Sequence, residues 1–146
     1  MRITKKQWLQ DVAEEVENIK KYATKEEISR LDIKLFKAEH PEFCIYGLLT
    51  GSCMNDRAIE LILKCCKRFS KREALYDDVG ITFKQSSAFI NGCDVKQLRR
   101  EYEWQGFFKR IDMDYVSSVE HYIYLRDSKP ENIIGYLKGE KEELVL

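Results

Sequence analysis

The stretch Phe43–Phe69, FCIYGLLTGSCMNDRAIELILKCCKRF, decides the predicted fold. It begins with a short apolar run, Phe43–Tyr46, between Pro41 and Gly47, and a run of this length with these flanks favours a buried strand. A polar turn follows at Thr50-Gly51-Ser52. Apolar residues then recur at three- and four-residue steps, which predicts an amphipathic helix; they are Ala58, Leu61, Ile62, Cys65, Cys66 and Phe69. The stretch is therefore predicted to form a strand, a Gly-Ser turn and a core helix.

Helix-start signals flank this unit on both sides. Thr4–Gln7 and Thr24–Glu27 each fit a capping box, in which a threonine and a Glu or Gln three residues later cap each other's backbone. The second of these helices is expected to bury Ile28, Leu31, Leu35 and Phe36 and to stop before Pro41. Near the other end of the chain, Ser128–Glu131 fits a capping box with proline in the first turn, and Gly139 is expected to close that helix.

A second strand is predicted further along the chain. Apolar and polar residues alternate from Gly80 to Ile90, a period that is typical of strands. No internal repeat and no Pro/Gly/Ser-rich linker divides the 146 residues. The sequence thus predicts an α+β fold: one domain over residues 1–146, mostly helical, with about five or more helices and a small sheet.

The charge of the chain is balanced in total but not along its length. The 25 Lys and Arg cancel the 25 Asp and Glu, so net charge gives no support to nucleic-acid or membrane binding. From Lys64 to Arg110 there are 11 basic and 6 acidic residues, a net charge of +5, and from Ile111 to Leu146 there are 4 and 8, a net charge of −4. The basic middle and the acidic end are expected to attract each other within the fold or across a homodimer, or to mark a partner surface.

Location is predicted from apolar runs and cysteines. No stretch reaches the apolar length of a membrane-spanning helix, and the N-terminus becomes charged before any apolar segment of the signal-peptide type. Five cysteines are an odd number, two of them adjacent, which is unlike the disulfide framework of a secreted protein. We therefore expect a cytoplasmic protein without a membrane partner.

The polar turn is a candidate anion site, because free backbone N–H groups at a helix start attract anions. The residues that would form it are Thr50, Gly51, Ser52, Asn55 and Arg57. The turn lacks the lysine of a phosphate-binding loop, and the alternative interpretation is an ordinary cap and tight turn. Cys53 is expected to be the most accessible cysteine and would be the nucleophile of an enzyme paired with His40 or His121.

Metal chemistry is not favoured. His40-Pro41-Glu42 has the H-x-E form of zinc deaminases, but that site also needs a C-x-x-C motif, which the chain lacks. The cysteines show none of the paired short spacings of structural zinc sites. No metal and no cofactor are predicted, and the patterns leave enzymatic activity open while favouring a non-catalytic role.

The basic middle is a candidate surface for a protein partner or for nucleic acid. Cations contact phosphates, and exposed aromatic rings can stack on bases. The residues proposed for this surface are Lys67, Arg68, Lys71, Arg72, Arg99, Arg100, Lys109 and Arg110. No recognition signature of a known nucleic-acid-binding module accompanies them.

Three segments, CIYGLLTGSCMNDRAIELI, SSVEHYI and IIGYLKGE, resemble parts of uncharacterised small proteins carried by phages and prophages. The resemblance implies no activity, ligand or catalytic residue, and it suggests an accessory factor of a mobile element. The leading hypothesis is a small cytoplasmic interaction protein that binds a protein partner. The alternatives are nucleic-acid binding through Lys64–Arg110, and a small-molecule- or anion-binding protein or enzyme that uses the Gly47–Arg57 turn.

Overall fold

The computed structural model describes residues 4–38, 40–66 and 121–146. Its helices are α1 (Lys5–Tyr22), α2 (Lys25–Ser29), α3 (Ile45–Thr50) and α4 (Asp56–Cys65), then α5, which covers residues 121–127, and α6 (Pro130–Leu137). α1 packs against α4 and α6, and α3 packs against α2 and α4. The described residues include no strand, so the predicted α+β fold with a small sheet is wrong for them. The predicted strand of Gly80–Ile90 lies outside the described residues.

Both threonine capping boxes are confirmed. The Thr4 hydroxyl accepts from the Gln7 N–H, and the Gln7 side chain accepts from the Thr4 N–H at 2.9 Å. Thr24 and Glu27 make the same pair of bonds, with the Thr24 N–H donating at 2.9 Å. These side chains satisfy two backbone donors that a helix start leaves without a partner, so α1 and α2 begin where the sequence predicted.

The apolar run Phe43–Tyr46 is not a strand. Cys44 caps α3, its Sγ accepting from the Gly47 N–H at 3.3 Å, and the helix continues to Thr50 with every residue from Ile45 to Leu49 buried. A helix that is apolar on all sides shows no 3.6-residue period, which is why periodicity could not distinguish it from a buried strand.

The second helix is shorter than predicted, because the chain turns at Asp32. The Asp32 carboxylate accepts from the Lys34 N–H at 2.9 Å, and the Asp32 carbonyl accepts from the N–H groups of Leu35 and Phe36. A short side chain that bonds the following backbone competes with helix formation. α2 therefore ends at Ser29, and residues 33–35 form a turn.

The predictions for α6 are partly confirmed. Pro130 lies in the first turn, but the N-cap residue is Lys129, without a side-chain cap bond, so the predicted Ser128–Glu131 capping box is wrong. Gly139 closes the helix as predicted, with φ of 77°. Its N–H donates to the Tyr136 carbonyl, and the Glu140 N–H donates to the Gly135 carbonyl, which is the Schellman arrangement.

The core of the described residues lies between α1 and the other helices. α1 contributes a buried stripe of Trp8, Val12, Val16 and Ile19. The opposing helices contribute the remaining buried apolar residues, among them Leu49, Leu61, Ile62, Ile123, Ile133 and Leu137. This packing brings residues of the N-terminal helix into contact with residues more than 100 positions later in the chain.

The first prediction concerns Gly47. A Cβ at this position would lie 2.3 Å from the Pro41 carbonyl oxygen and 2.6 Å from the Glu42 carbonyl carbon. Because backbone atoms cannot rotate away as a side-chain end can, we expect Gly47→Ala to lower the free energy of unfolding by about 1–3 kcal/mol. Urea denaturation followed by circular dichroism measures the loss.

Gly139→Ala is the matched control for Gly47. Its Cβ would meet nothing within 4 Å, and the cost is that of a positive φ alone, about 1 kcal/mol. A Gly47→Ala variant as stable as the wild type would contradict the close approach of residues 41–42 to α3.

Candidate functional site

The predicted anion site is a turn whose polar groups bond one another. The Thr50 hydroxyl donates to the Tyr46 carbonyl at 2.7 Å, and the Asn55 amide donates to the Thr50 carbonyl at 2.7 Å. Asn55 also caps α4 by accepting from the Ala58 N–H, Ser52 accepts from the Met54 N–H, and Gly51 caps α3 with φ of 100°. These are the contacts of a cap and tight turn, while anion binding stays a prediction.

Arg57, the cation assigned to that turn, instead joins three helices. Its guanidinium donates twice to the Glu27 carboxylate, at 2.9 and 2.8 Å. It also donates to the Tyr22 carbonyl at 3.2 Å and to Glu60 at 3.1 Å. The paired hydrogen bond from Arg57 lowers the pKa of Glu27 from 4.5 to about 2. Arg57 therefore ties the start of α4 to α2 and to the end of α1.

The cysteines of the described residues are buried. Cys53 has no exposed surface, so the prediction that it is the most accessible cysteine is wrong. Cys44, Cys65 and Cys66 are buried as well. Burial raises the pKa of Cys65 from 9.0 to about 12 and that of Cys66 well above its usual value. Thiols of this kind are protonated and poor nucleophiles at neutral pH.

A buried charge cluster, made of Glu15, Tyr46, Tyr122, Arg126 and Asp127, lies at the centre of the described core. The Arg126 Nη1 lies 3.1 Å from the Glu15 Oε2, and the Arg126 Nε and Nη2 lie 2.9 and 3.1 Å from the two oxygens of Asp127. The Tyr46 and Tyr122 hydroxyls lie 3.1 and 2.8 Å from the Glu15 carboxylate. The cluster therefore links α1, α3 and α5.

Burial sets the electrostatics of the cluster. It raises the pKa of Tyr46 and of Tyr122 well above 10, with the Glu15 charge adding to the effect, so both hydroxyls stay neutral. Burial works against the charge of Arg126, yet the carboxylates of Asp127 and Glu15 hold its pKa above the usual value. Removing one partner from a buried ion pair is costly, because the remaining charge has lost both water and its counter-charge.

Sequence reasoning missed this cluster, although a signal was present. Glu15 falls three residues after Val12 and four before Ile19, inside the apolar stripe of α1 rather than on its solvated face. Arg126 follows Tyr122 by four residues in α5. A charged residue inside an apolar stripe must find a buried partner of opposite charge, so the position of Glu15 could have indicated a buried cation, although not which one.

An apolar turn, defined as residues 33–36, lies at the surface. Ile33 and Leu35 are 44% and 49% exposed, whereas Phe36 is half-buried and packs against the core. Besides the bonds to Asp32, the backbone on either side is held: the Lys37 N–H donates to the Phe43 carbonyl at 2.9 Å, and the Lys138 ammonium donates to the Leu31 carbonyl at 2.8 Å. The turn thus presents two aliphatic side chains from a fixed backbone.

The predicted basic surface cannot be placed. All of its residues lie outside the described residues; they are Lys67, Arg68, Lys71, Arg72, Arg99, Arg100, Lys109 and Arg110.

The two histidines were proposed as catalytic partners of Cys53. His121 lies on α5 and is exposed, and the ring of His40 lies 4.7 Å from that of Phe43.

The comparisons with family models, with curated proteins and with solved structures gave no match to this chain. In the part of the chain that the structure describes, no group of three or more His, Cys, Asp or Glu side chains is placed to hold a metal ion. The helices of that part are all too short or too polar to cross a bilayer.

The second prediction concerns the pH dependence of the Arg57–Glu27 pair. The folded-state pKa of Glu27 is below its unfolded value of 4.5, so the pair stabilises the fold above pH 4.5 and its contribution disappears as the pH falls towards 2. We expect Glu27→Gln, which keeps the cap on Thr24, to lower the free energy of unfolding by about 2 kcal/mol at pH 7.

Urea denaturation of wild type and Glu27→Gln from pH 7 down to pH 2 measures this dependence, and the two curves should converge in acid. Glu26→Gln is the control, since Glu26 pairs with Arg30 at the surface, where ion pairs contribute little. A constant difference between wild type and Glu27→Gln across that pH range would contradict the assignment.

The third prediction concerns Arg126. Arg126→Met leaves Glu15 and Asp127 buried without a cation, and we expect a loss of about 3–5 kcal/mol in the free energy of unfolding. Lys64→Met, which breaks an exposed pair with Glu60, should change stability little. Thermal denaturation of the wild type and of both variants at pH 7 tests this. An Arg126→Met variant that melts at the same temperature as Lys64→Met would contradict a structural role of the cluster.

Proposed function

We propose that this protein works by binding a protein partner through the apolar turn. The observation that supports this is the exposure of Ile33 and Leu35, 44% and 49% respectively, on neighbouring positions of one turn. Single exposed apolar residues are common on protein surfaces. Two on one turn, beside the half-buried ring of Phe36, form a small apolar centre of the kind that protein interfaces bury.

The fixed backbone of the turn favours binding. Asp32 bonds three N–H groups of residues 34–36, and the bonds to Phe43 and Lys138 hold the segment on both sides. Association costs free energy when a flexible loop must become ordered, so a turn that is already fixed loses less on binding. Lys34 and Lys37 are exposed beside the apolar side chains and would form a basic rim, which suits a partner with carboxylates around an apolar pocket.

The cytoplasm is the proposed location of this binding. Cys65 and Cys66 are buried free thiols, and reduced cysteines are typical of proteins in reducing compartments. The resemblance of three segments to small phage and prophage proteins adds the proposal that the partner is a phage or host protein.

The fourth prediction tests the apolar turn. We expect the double variant Ile33→Gln/Leu35→Gln to fold like the wild type, because substitutions of exposed side chains usually change stability by less than about 0.5 kcal/mol, and to lose its partner. Leu63→Gln is the matched control, an aliphatic residue on α4 that is 40% exposed. Tagged wild type and both variants are used in pull-downs from the native cell, with quantitative mass spectrometry and with and without nuclease.

The expected result is a nuclease-resistant protein that the wild type and Leu63→Gln recover in near-equimolar amount and that the double variant does not recover. Recovery of the same protein by all three would show that the apolar turn is not the binding surface. Recovery that nuclease abolishes would favour nucleic-acid binding instead. If the partner is a second copy of the chain, sedimentation will show a dimer for the wild type and a monomer for the double variant.

A further inference from the structure

Two segments of opposite charge begin near each other at the end of α6. One is the apolar turn, beside which the side chains of Lys34 and Lys37 are exposed. The other is residues 140–146, which we call the acidic segment. The Lys138 ammonium donates to the Leu31 carbonyl at 2.8 Å, so the acidic segment begins beside the residue at which the chain enters the turn.

The acidic segment carries exposed carboxylates and an exposed aliphatic side chain. Its charged side chains are three carboxylates and one ammonium, all exposed; they are Glu140, Glu142, Glu143 and Lys141. Val145 is 57% exposed, whereas Leu144 and Leu146 on either side of it pack against the core. The segment therefore matches the apolar turn in kind, an aliphatic centre with charges around it, and is opposite to it in sign.

The acidic segment, like the turn, is fixed to the rest of the fold. The backbone N–H groups of Glu140 and Lys141 donate to the Gly135 carbonyl at 2.8 and 3.1 Å, and the Lys141 ammonium donates to the Asn132 side chain at 2.8 Å. Neither segment therefore has to become ordered in order to bind, which lowers the free-energy cost of association.

The opposite charges of the two segments are not paired within one chain. In the part of the chain that the structure describes, Lys34, Glu140, Glu142 and Glu143 take part in no ion pair, and the Lys37 ammonium lies over the Phe43 ring, 5.8 Å from its centroid. Surfaces that bind each other bring opposite charges together, and this chain carries both members of such a pair at one end of α6.

We propose that the partner of the apolar turn is a second copy of this chain, and that the turn of each copy packs against the acidic segment of the other in a two-fold symmetric dimer. A two-fold interface uses the same surface on both copies, so a surface with both charges is complementary to itself. The lysines of one copy then face the carboxylates of the other, and Val145 meets the aliphatic side chains of the turn. This inference rests on the proposed function and names the protein that the turn binds.

Sedimentation velocity of the purified full chain tests the dimer. Exposed charges attract each other over about 14 Å at 0.05 M salt but over only about 4 Å at 0.5 M. We therefore expect a dimer at the lower salt concentration whose dissociation constant rises at least about tenfold at the higher one. A wild type that stays monomeric at both salt concentrations, up to about 0.5 mM protein, would overturn the inference, because a specific interface of ordinary size is occupied well below that concentration.

Two charge-reversed variants test which surfaces meet. Lys34→Glu/Lys37→Glu and Glu142→Lys/Glu143→Lys should each dimerise at least about tenfold more weakly than the wild type, because like charges then face each other. Mixed together they should form a heterodimer about as tight as the wild-type dimer, because every charge again faces its opposite. The matched control is Lys5→Glu/Lys6→Glu at the exposed start of α1, which should dimerise like the wild type. Reversed variants that dimerise like the wild type, or that form no heterodimer, would contradict the proposed interface.

The double variant Ile33→Gln/Leu35→Gln separates this inference from the proposed function. A dimeric wild type and a monomeric double variant would agree with both. If the wild type is monomeric and its pull-down contains a different protein that the double variant loses, the inference fails and the proposed function stands. If the double variant dimerises and keeps every protein that the wild type recovers, both are wrong.

Discussion

The ion pairs of Arg126 with Glu15 and Asp127 are the constraint on which the described structure depends. Arg126 has five N–H donors in a fixed plane, and it uses them on a carboxylate from α1 and on the adjacent one in α5. A guanidinium with no more than 1% of its surface exposed is stable only with these partners. The position of α5 against α1 is therefore fixed by charge and by hydrogen-bond geometry as well as by apolar packing, which alone tolerates small shifts.

The two charged networks have different roles because they differ in exposure. Arg57 is a third exposed and bonds Glu27, Glu60 and the Tyr22 carbonyl, so it joins the ends of helices at the edge of the core. The Arg126 network lies inside the core, where the contacts described for the guanidinium are with the side chains of Glu15 and Asp127. Together they hold α1 at its middle, through Glu15, and at its end, through the Tyr22 carbonyl. The turn after α2 is held by other bonds, to Asp32, Phe43 and Lys138.

Local signals in the sequence predicted some of the helix ends, but not the end of α2, the cap of α6 or the long-range contacts. The capping boxes at Thr4 and Thr24 and the glycine cap at Gly139 depend on neighbouring residues, and the structure confirms them. The strand predicted at Phe43–Tyr46 was wrong, because a run that is apolar on all sides carries no period that would distinguish a buried helix from a buried strand. The pairing of Glu15 with Arg126 spans 111 positions, and nothing in the spacing of a single sequence indicates which charge meets which.

That separation of 111 positions has a consequence for the order in which the chain can become native. During synthesis, Glu15 leaves the ribosome long before Arg126 exists, so the nascent α1 carries a carboxylate inside its apolar stripe without a counter-charge. α1 has its own capping box and can form early, but Glu15 cannot be paired with its counter-charge until Arg126 has been synthesised. Contacts this distant in sequence also slow folding, because the closure of a long loop must precede them. The nascent chain is therefore expected to remain a substrate for chaperones until Arg126 has left the ribosome.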